Sequence, residues 1–520
     1  MPLSTPSTTP HAPNDRTRPG RWTRVAVCAA LATLGTMPAS AISVAWDQAG
    51  GGHWALATNW SPVGVPGPAD DVFISMASAS PYTVLVNRYN NQVQFSAGSV
   101  KITQPNATLS VQYTSGLSGA ELEVADTLAV TAGTLRLAGA GDKMAYVHAD
   151  NGMTFGADAL VKTQGNARLG GSIANSGTLD MNGGGYLDGT GTLENQGLVT
   201  LGALGASIYT AIGHTTLNGG TFEVTAPVGN YGQVAIGAFT NLQGGTVRLQ
   251  GTTKLRMTQP GLVNHGVVEL VDDRATITVL SGTPRLVNAA DGLVDLQVGN
   301  GGVRTINTTL DNAGLVEVAA DLLLNGYQAA HVNSGRIHLA NGATATISGV
   351  SGTSFTNTAT GRIDGNGTLD LRGLPSFIDH GTLSPGNSFG RIDILGDYHQ
   401  AADGVLDFEI GADGQDLIVV DGGTALFEGT LRIHFVDGFA PSQGDTFELI
   451  SGAVTASFSQ LEVLGLAPGY DFELGGDGGL ALVAIEVPPV PEPGQLALLL
   501  AGLAVVGWRA RRRGVAGTPD

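Results

Sequence analysis

The chain has 520 residues, 77 of them glycine, with 42% hydrophobic but only 13% charged residues and a formal net charge of −19. Glycine without a three-residue period excludes collagen, and the apolar content excludes a disordered chain. Four lysines on so acidic a chain would repel nucleic acid rather than collect it, and the single cysteine, Cys28, leaves no disulfide or thiolate metal site.

The N-terminus carries Arg16, Arg18, Arg21 and Arg24, then the apolar run VAVCAALATLG, then small residues at Ala39 and Ala41. A basic region, a short apolar region and small residues make a secretory signal pattern, so 1–41 reads as a signal peptide cleaved after Ala41. Val27 before Cys28 excludes a lipoprotein site. Residues 42–70 hold Trp46, Trp54 and Trp60. The end of a repeat array must close an open core, so these read as a Trp-rich cap. Exposed, the same indoles would offer a stacking platform for the apolar faces of a glycan.

From residue 170 one phrase recurs, as IANSGTLDM, LENQGLVTL, LVNHGVVEL and LDNAGLVEV. An apolar residue precedes Asn, a small turn ends in Gly, and an alternating strand follows. The asparagines fall at 175, 195, 218, 241, 264, 288, 312, 333 and 357, at intervals of 20 to 24. Short alternating runs between Asn/Gly turns are strands, and about 23 residues is one coil of a parallel β-helix. Asn and Gly would supply left-handed corners, and stacked amides would form a ladder along the axis. The all-β expectation is a right-handed parallel β-helix solenoid over 71–395, some 12 to 15 coils at about 4.8 Å each.

Strands lengthen over 396–486, which predicts a C-terminal β region, either a small sandwich or wider coils that cap the stack. GNSFG at 386–390 fits the G-x-S-x-G pattern around Ser388, but it lies between strands with no following helix to make a nucleophile elbow. GADGQDLIV at 411–419 resembles one copy of a calcium-roll repeat, making Asp413 and Asp416 a calcium candidate against an acidic surface turn. The ten histidines show no metal-binding spacing, so no metal site or cofactor is expected. His265 and His380 read as corner residues. Asp379–His380 is the nearest thing to a catalytic pair for a polysaccharide lyase or hydrolase, and Thr276–Thr278 and Thr344–Thr346 are isolated Thr-x-Thr pairs. The expectation is that the protein is not an enzyme.

The C-terminus reads VPPVPEPGQLALLLAGLAVVGWRARRR. A Pro-rich linker over 487–493 precedes 13 apolar residues, 496–508, and then Arg509, Arg511, Arg512 and Arg513, before a tail over 514–520. Thirteen residues fall short of the roughly 20 that span a bilayer, and the arginines would hold their end in the cytoplasm. The expected element is a short transmembrane helix that anchors only transiently.

Val490, Pro491, Glu492 and Pro493, a short apolar stretch and a basic cluster together resemble the PEP-CTERM sorting signal, over 490–513. That resemblance implies recognition by an exosortase-type processing enzyme at the Pro-Glu-Pro of a Gram-negative bacterium. It also implies release or transfer to the cell surface or extracellular matrix, where many such proteins are biofilm components. The body resembles autotransporter adhesins, in NWSPVGVPGPADDVFI and GTLSPGNSFGRIDILGDYHQ, and no outer-membrane barrel is expected to follow. The expected function is an exported structural or adhesive protein that meets exopolysaccharide or other surface glycans. The alternatives are a carbohydrate-active β-helix enzyme and a glycan-binding module.

Overall fold

The computed structural model describes residues 41–114, 119–202, 210–226, 232–386, 388–466, 470–475, 479–486 and 493–513. The expected signal peptide lies outside them except for Ala41, as do Val490, Pro491, Glu492 and the tail 514–520.

The body is a parallel β-solenoid of about 16 turns, somewhat more than the repeat count predicts. Each regular coil has three short strands. Ile173–Asn175, Thr178–Gly183 and Gly185–Asp188 form one coil. They pair in parallel with Thr192–Asn195, Leu198–Gly202 and Thr210–Ile212 of the next. Period-2 alternation sends every second side chain inward, and the register stacks like on like. Leu179, Val199, Phe222, Val247 and Val268 follow one another at one position of the second strand, all fully buried. Each such side chain contributes about 1.5–3 kcal/mol through burial.

A polar column runs beside this apolar one. The nine asparagines of the repeat stack one above another at the end of the first strand, each no more than 1% exposed. Every Nδ2 donates to the next Oδ1 at 2.7–2.8 Å, from Asn175 through Asn357. Their remaining donor capacity goes to backbone, as when Asn264 Nδ2 donates to Leu293 O at 3.0 Å. The ladder ends on a carboxylate: Asn357 Nδ2 donates to Asp379 Oδ1 at 2.7 Å, and the Tyr398 hydroxyl donates to Asp379 Oδ2 at 2.6 Å. Tyr398 itself belongs to an aromatic stack with Phe377 and Phe427, at centroid distances of 5.1 and 5.3 Å.

One expectation needs correcting. No ladder asparagine has a positive φ, and neither do Gly197, Gly220, Gly266, Gly314 or Gly335, the glycines of the turns that follow. Space, not handedness, selects glycine there. A Cβ on Gly266 would lie 2.2 Å from the Gly245 carbonyl oxygen one coil away, and one on Gly335 would lie 2.2 Å from Gly314 O.

At the N-terminal end, Trp60–Ser61 pairs antiparallel with Ser43–Trp46, which itself pairs in parallel with Asp71–Ile74. The first strand is thereby covered on both edges, and a bare edge would invite pairing with other chains. Beyond residue 395 the parallel stacks continue. Arg391–Leu395 pairs with Leu417–Asp421, and Ala425–Phe435 lies between Val405–Gly411 and Val454–Leu464. Antiparallel pairing enters in a tight hairpin between Val405–Gly411 and Gly414–Gln415, and again where Gly479–Glu486 joins Thr446–Ser451 and Tyr470–Gly475. An α-helix, Pro493–Arg513, follows.

Candidate functional site

The C-terminal helix begins on Pro493, a residue suited to the first helical position because its missing N–H has no partner to lose there. Leu498, Leu499, Leu500, Leu503, Val505, Val506 and Trp508 are 57–74% exposed, and Arg509 stands exposed after them. Arg511, Arg512 and Arg513 complete the helix. No helix among the described residues is long and apolar enough to cross a membrane, so the expected helix is present but a spanning one is not.

The three N-terminal tryptophans turn inward. Trp46, Trp54 and Trp60 are 2%, 0% and 1% exposed. Trp60 lies edge-on to both neighbours, at centroid distances of 5.0 and 4.9 Å. Its indole N–H donates to Trp54 O at 2.8 Å, and that of Trp46 donates to Gln48 O at 2.8 Å. Rings buried in this way suit a cap and offer no face to a sugar, which corrects the alternative of a glycan platform at these positions.

The other candidates separate. Asp379 points into the core and His380 out of it, where its Nδ1 meets Asp403 Oδ1 at 2.6 Å. Neighbours on opposite faces of a strand cannot converge on one substrate. His265 is likewise an outward residue, 2.8 Å from Asp291, and each histidine holds its aspartate partner below the usual carboxylate range. Ser388 is exposed in the turn between strands Thr382–Pro385 and Arg391–Leu395, with no helix behind it. Asp416 is fully buried: Gly390 N donates to its Oδ1 at 2.8 Å and Glu409 N to its Oδ2 at 2.7 Å. Burial pushes its carboxyl up to about 7. Asp413 stays exposed, so the two do not form a shared calcium site. No group of three or more His, Cys, Asp or Glu that could hold a metal occurs among the described residues. Thr276 stands over Thr305 and Thr344 over Thr368, but Thr278 stacks between Arg256 and Asn307 and Thr346 between Leu323 and Asp370, so neither Thr-x-Thr pair repeats on the next coil.

Register brings together charges that are far apart in sequence. Asp364, its side chain 2% exposed, accepts from Arg336 Nε at 2.8 Å and Arg362 Nε at 2.7 Å, and lies 2.7 Å from His338 Nδ1. With both oxygens engaged by cations from two coils, this carboxylate is a tie between turns rather than a free acid or base. The arrangement follows from Arg336 standing over Arg362 and His338 over Asp364, a consequence of register that no short motif signals.

Residues 489–513 match the PEP-CTERM protein-sorting motif. No curated protein matches the chain.

Proposed function

We propose that the protein is a non-enzymatic structural or adhesive component of the cell surface or extracellular matrix, delivered there through its C-terminal signal. The matched segment implies an exported protein that is sorted to the surface of a Gram-negative cell by an exosortase, and the solenoid body fits a surface protein. The match at 489–513 is the observation that carries the reading.

The physical logic of the tail supports transient residence. Thirteen apolar residues at about 1.5 Å of helix rise cover roughly 20 Å, against a hydrocarbon core of roughly 30 Å. Such a segment pauses in the bilayer with Arg509–Arg513 held on the cytoplasmic side, but holds less firmly than a full span. Pro488, Pro489, Pro491 and Pro493 surround Glu492 with residues that disfavour a helix interior, a sequence feature that suits a recognition site for a processing enzyme. A carbohydrate-active enzyme gains less support, since Asp379 and His380 face apart and the Asp364 carboxylate is fully occupied.

Cell fractionation with mass determination of the mature C-terminus tests this reading. Glu492→Ala, or removal of 509–520, should leave uncleaved protein in the inner membrane. Unchanged surface delivery in both variants would overturn it, and depolymerisation of the producer's own polysaccharide by the wild type would replace it with the enzyme reading.

A further inference from the structure

A cleft of about 540 Å³ opens on the third-strand face, between the coils that carry Ala145–Ala149, Ala167–Gly170 and Gly185–Asp188. Gly171 and Ser172 line its floor, next to Gly170. Tyr146 and His148 form one wall, with Asp150 beyond them, and the turn from Asp188 to Gly191 forms the other. Register builds it: Tyr146, Arg168 and Tyr186 make one outward column, and His148, Gly170 and Asp188 make the next.

The parts are held in place. The Tyr146 and His148 rings lie nearly parallel, 21° apart, with centroids 6.0 Å from each other. A Cβ on Gly170 would stand 2.6 Å from both the Tyr146 hydroxyl and His148 Nδ1, so any other residue would displace the rings and fill the floor. Arg168 sits 4.9 Å over the Tyr186 ring, and its Nη1 lies 2.5 Å from Asp188 Oδ2. That pairing ties Arg168, beside the cleft, to the Asp188 carboxylate. Asp150, 3.1 Å from His148 Nε2, and Asp188 keep side chains 64% and 43% exposed at the rim.

We propose that this cleft binds a neutral glycan, with one sugar ring laid against the Tyr146–His148 wall and its hydroxyls donating to Asp150 and Asp188. An aromatic wall beside a few convergent polar groups is the usual make-up of a ligand site. The charge selects the class of sugar. Glu121, Glu123, Asp150 and Asp188 surround the Tyr146 column, and Arg168 is already paired with Asp188, so a uronate-rich chain would be repelled. Burial and the carboxylates of Glu123 and Asp188 push the Tyr146 hydroxyl up to about 12, which keeps it an O–H donor for a sugar oxygen at any physiological pH. The inference rests on the surface-protein reading only for its setting, because binding and localisation are measured separately and either can fail alone.

Titration calorimetry of the full chain with a neutral cello-oligosaccharide and with an oligogalacturonate tests it. The neutral probe should bind and the uronate should not. Tyr146→Ala should weaken binding by about tenfold. Thr190→Trp, on the exposed rim turn, should abolish binding with thermal unfolding unchanged. Absence of neutral-sugar binding, tighter binding of the uronate, or equal affinity in both variants would overturn the proposal.

Discussion

Asp379 occupies the slot that asparagine fills nine times before it, and the single change of amide to carboxyl alters how the column responds to pH. The stacked amides all present Nδ2 toward Asp379, so their dipoles favour negative charge there, yet burial away from water pushes its carboxyl above the usual range. Asp416, raised to about 7, acts in the same sense. A carboxyl raised by folding contributes stability that is fully present below its unfolded pKa of about 3.9 and is lost as the pH rises through the folded value. The protein should therefore lose stability between about pH 4 and the folded values of these two groups, with Asp416 contributing up to about pH 7. Asp379→Asn keeps an acceptor for Asn357 and Gly381, and the Tyr398 hydroxyl can turn to accept from the new amide. It should raise the urea midpoint at pH 8, change it little at pH 4, and lessen the slope between. A lower midpoint at pH 8 would mean that the buried carboxylate is ionised and valuable. Composition does not reveal such sites. Arg304 is a further case, fully buried and, among the described residues, without a carboxylate ion pair, its guanidinium donating to the carbonyls of Val271, Val298, Gly301 and Gly302.

At the scale of the element, the repeated turn shows why the solenoid could be read from the chain while its clusters could not. Asn and Gly must recur because each touches its counterpart one coil away, so a three-dimensional contact is written as a linear period. The contact is steric for glycine, and this separates two kinds of substitution. Gly266→Ala would force a methyl to 2.2 Å from Gly245 O and should cost about 2–3 kcal/mol, as overpacking does. Gly244→Ala has a positive φ of 83° but open space, and should cost only about 1–2 kcal/mol. Denaturant melts of the two variants would rank them, and the reverse order would return the turn to a question of backbone handedness. The tryptophan cap was legible as a cap because three large indoles sit next to the first coil. The Asp364 tie and the Tyr146 cleft were not legible, since their members lie about 20 to 28 residues apart and only the exact register aligns them.

At the scale of the whole body, each coil contacts its neighbours above and below, so stability approximates a sum of coils and interfaces. Removing 265–288 takes out one ladder interval and joins Asn264 to a chain that still reaches Asn312. This variant should keep a β circular-dichroism spectrum and shift its urea midpoint only slightly, whereas removing 42–70 should expose the first coil and cause aggregation. Collapse of the 265–288 variant would show that the coils are not interchangeable. The direction of the ladder carries one more consequence, for the history of the gene. An asparagine both gives and takes, so a duplicated coil can be spliced between any two of the nine and inherit both bonds. Asp379, when charged, accepts on both oxygens and has no proton to pass on. It acts as a stop codon of sorts for the amide column: new coils can accumulate upstream of it, while growth beyond it must find another way to hold coil to coil.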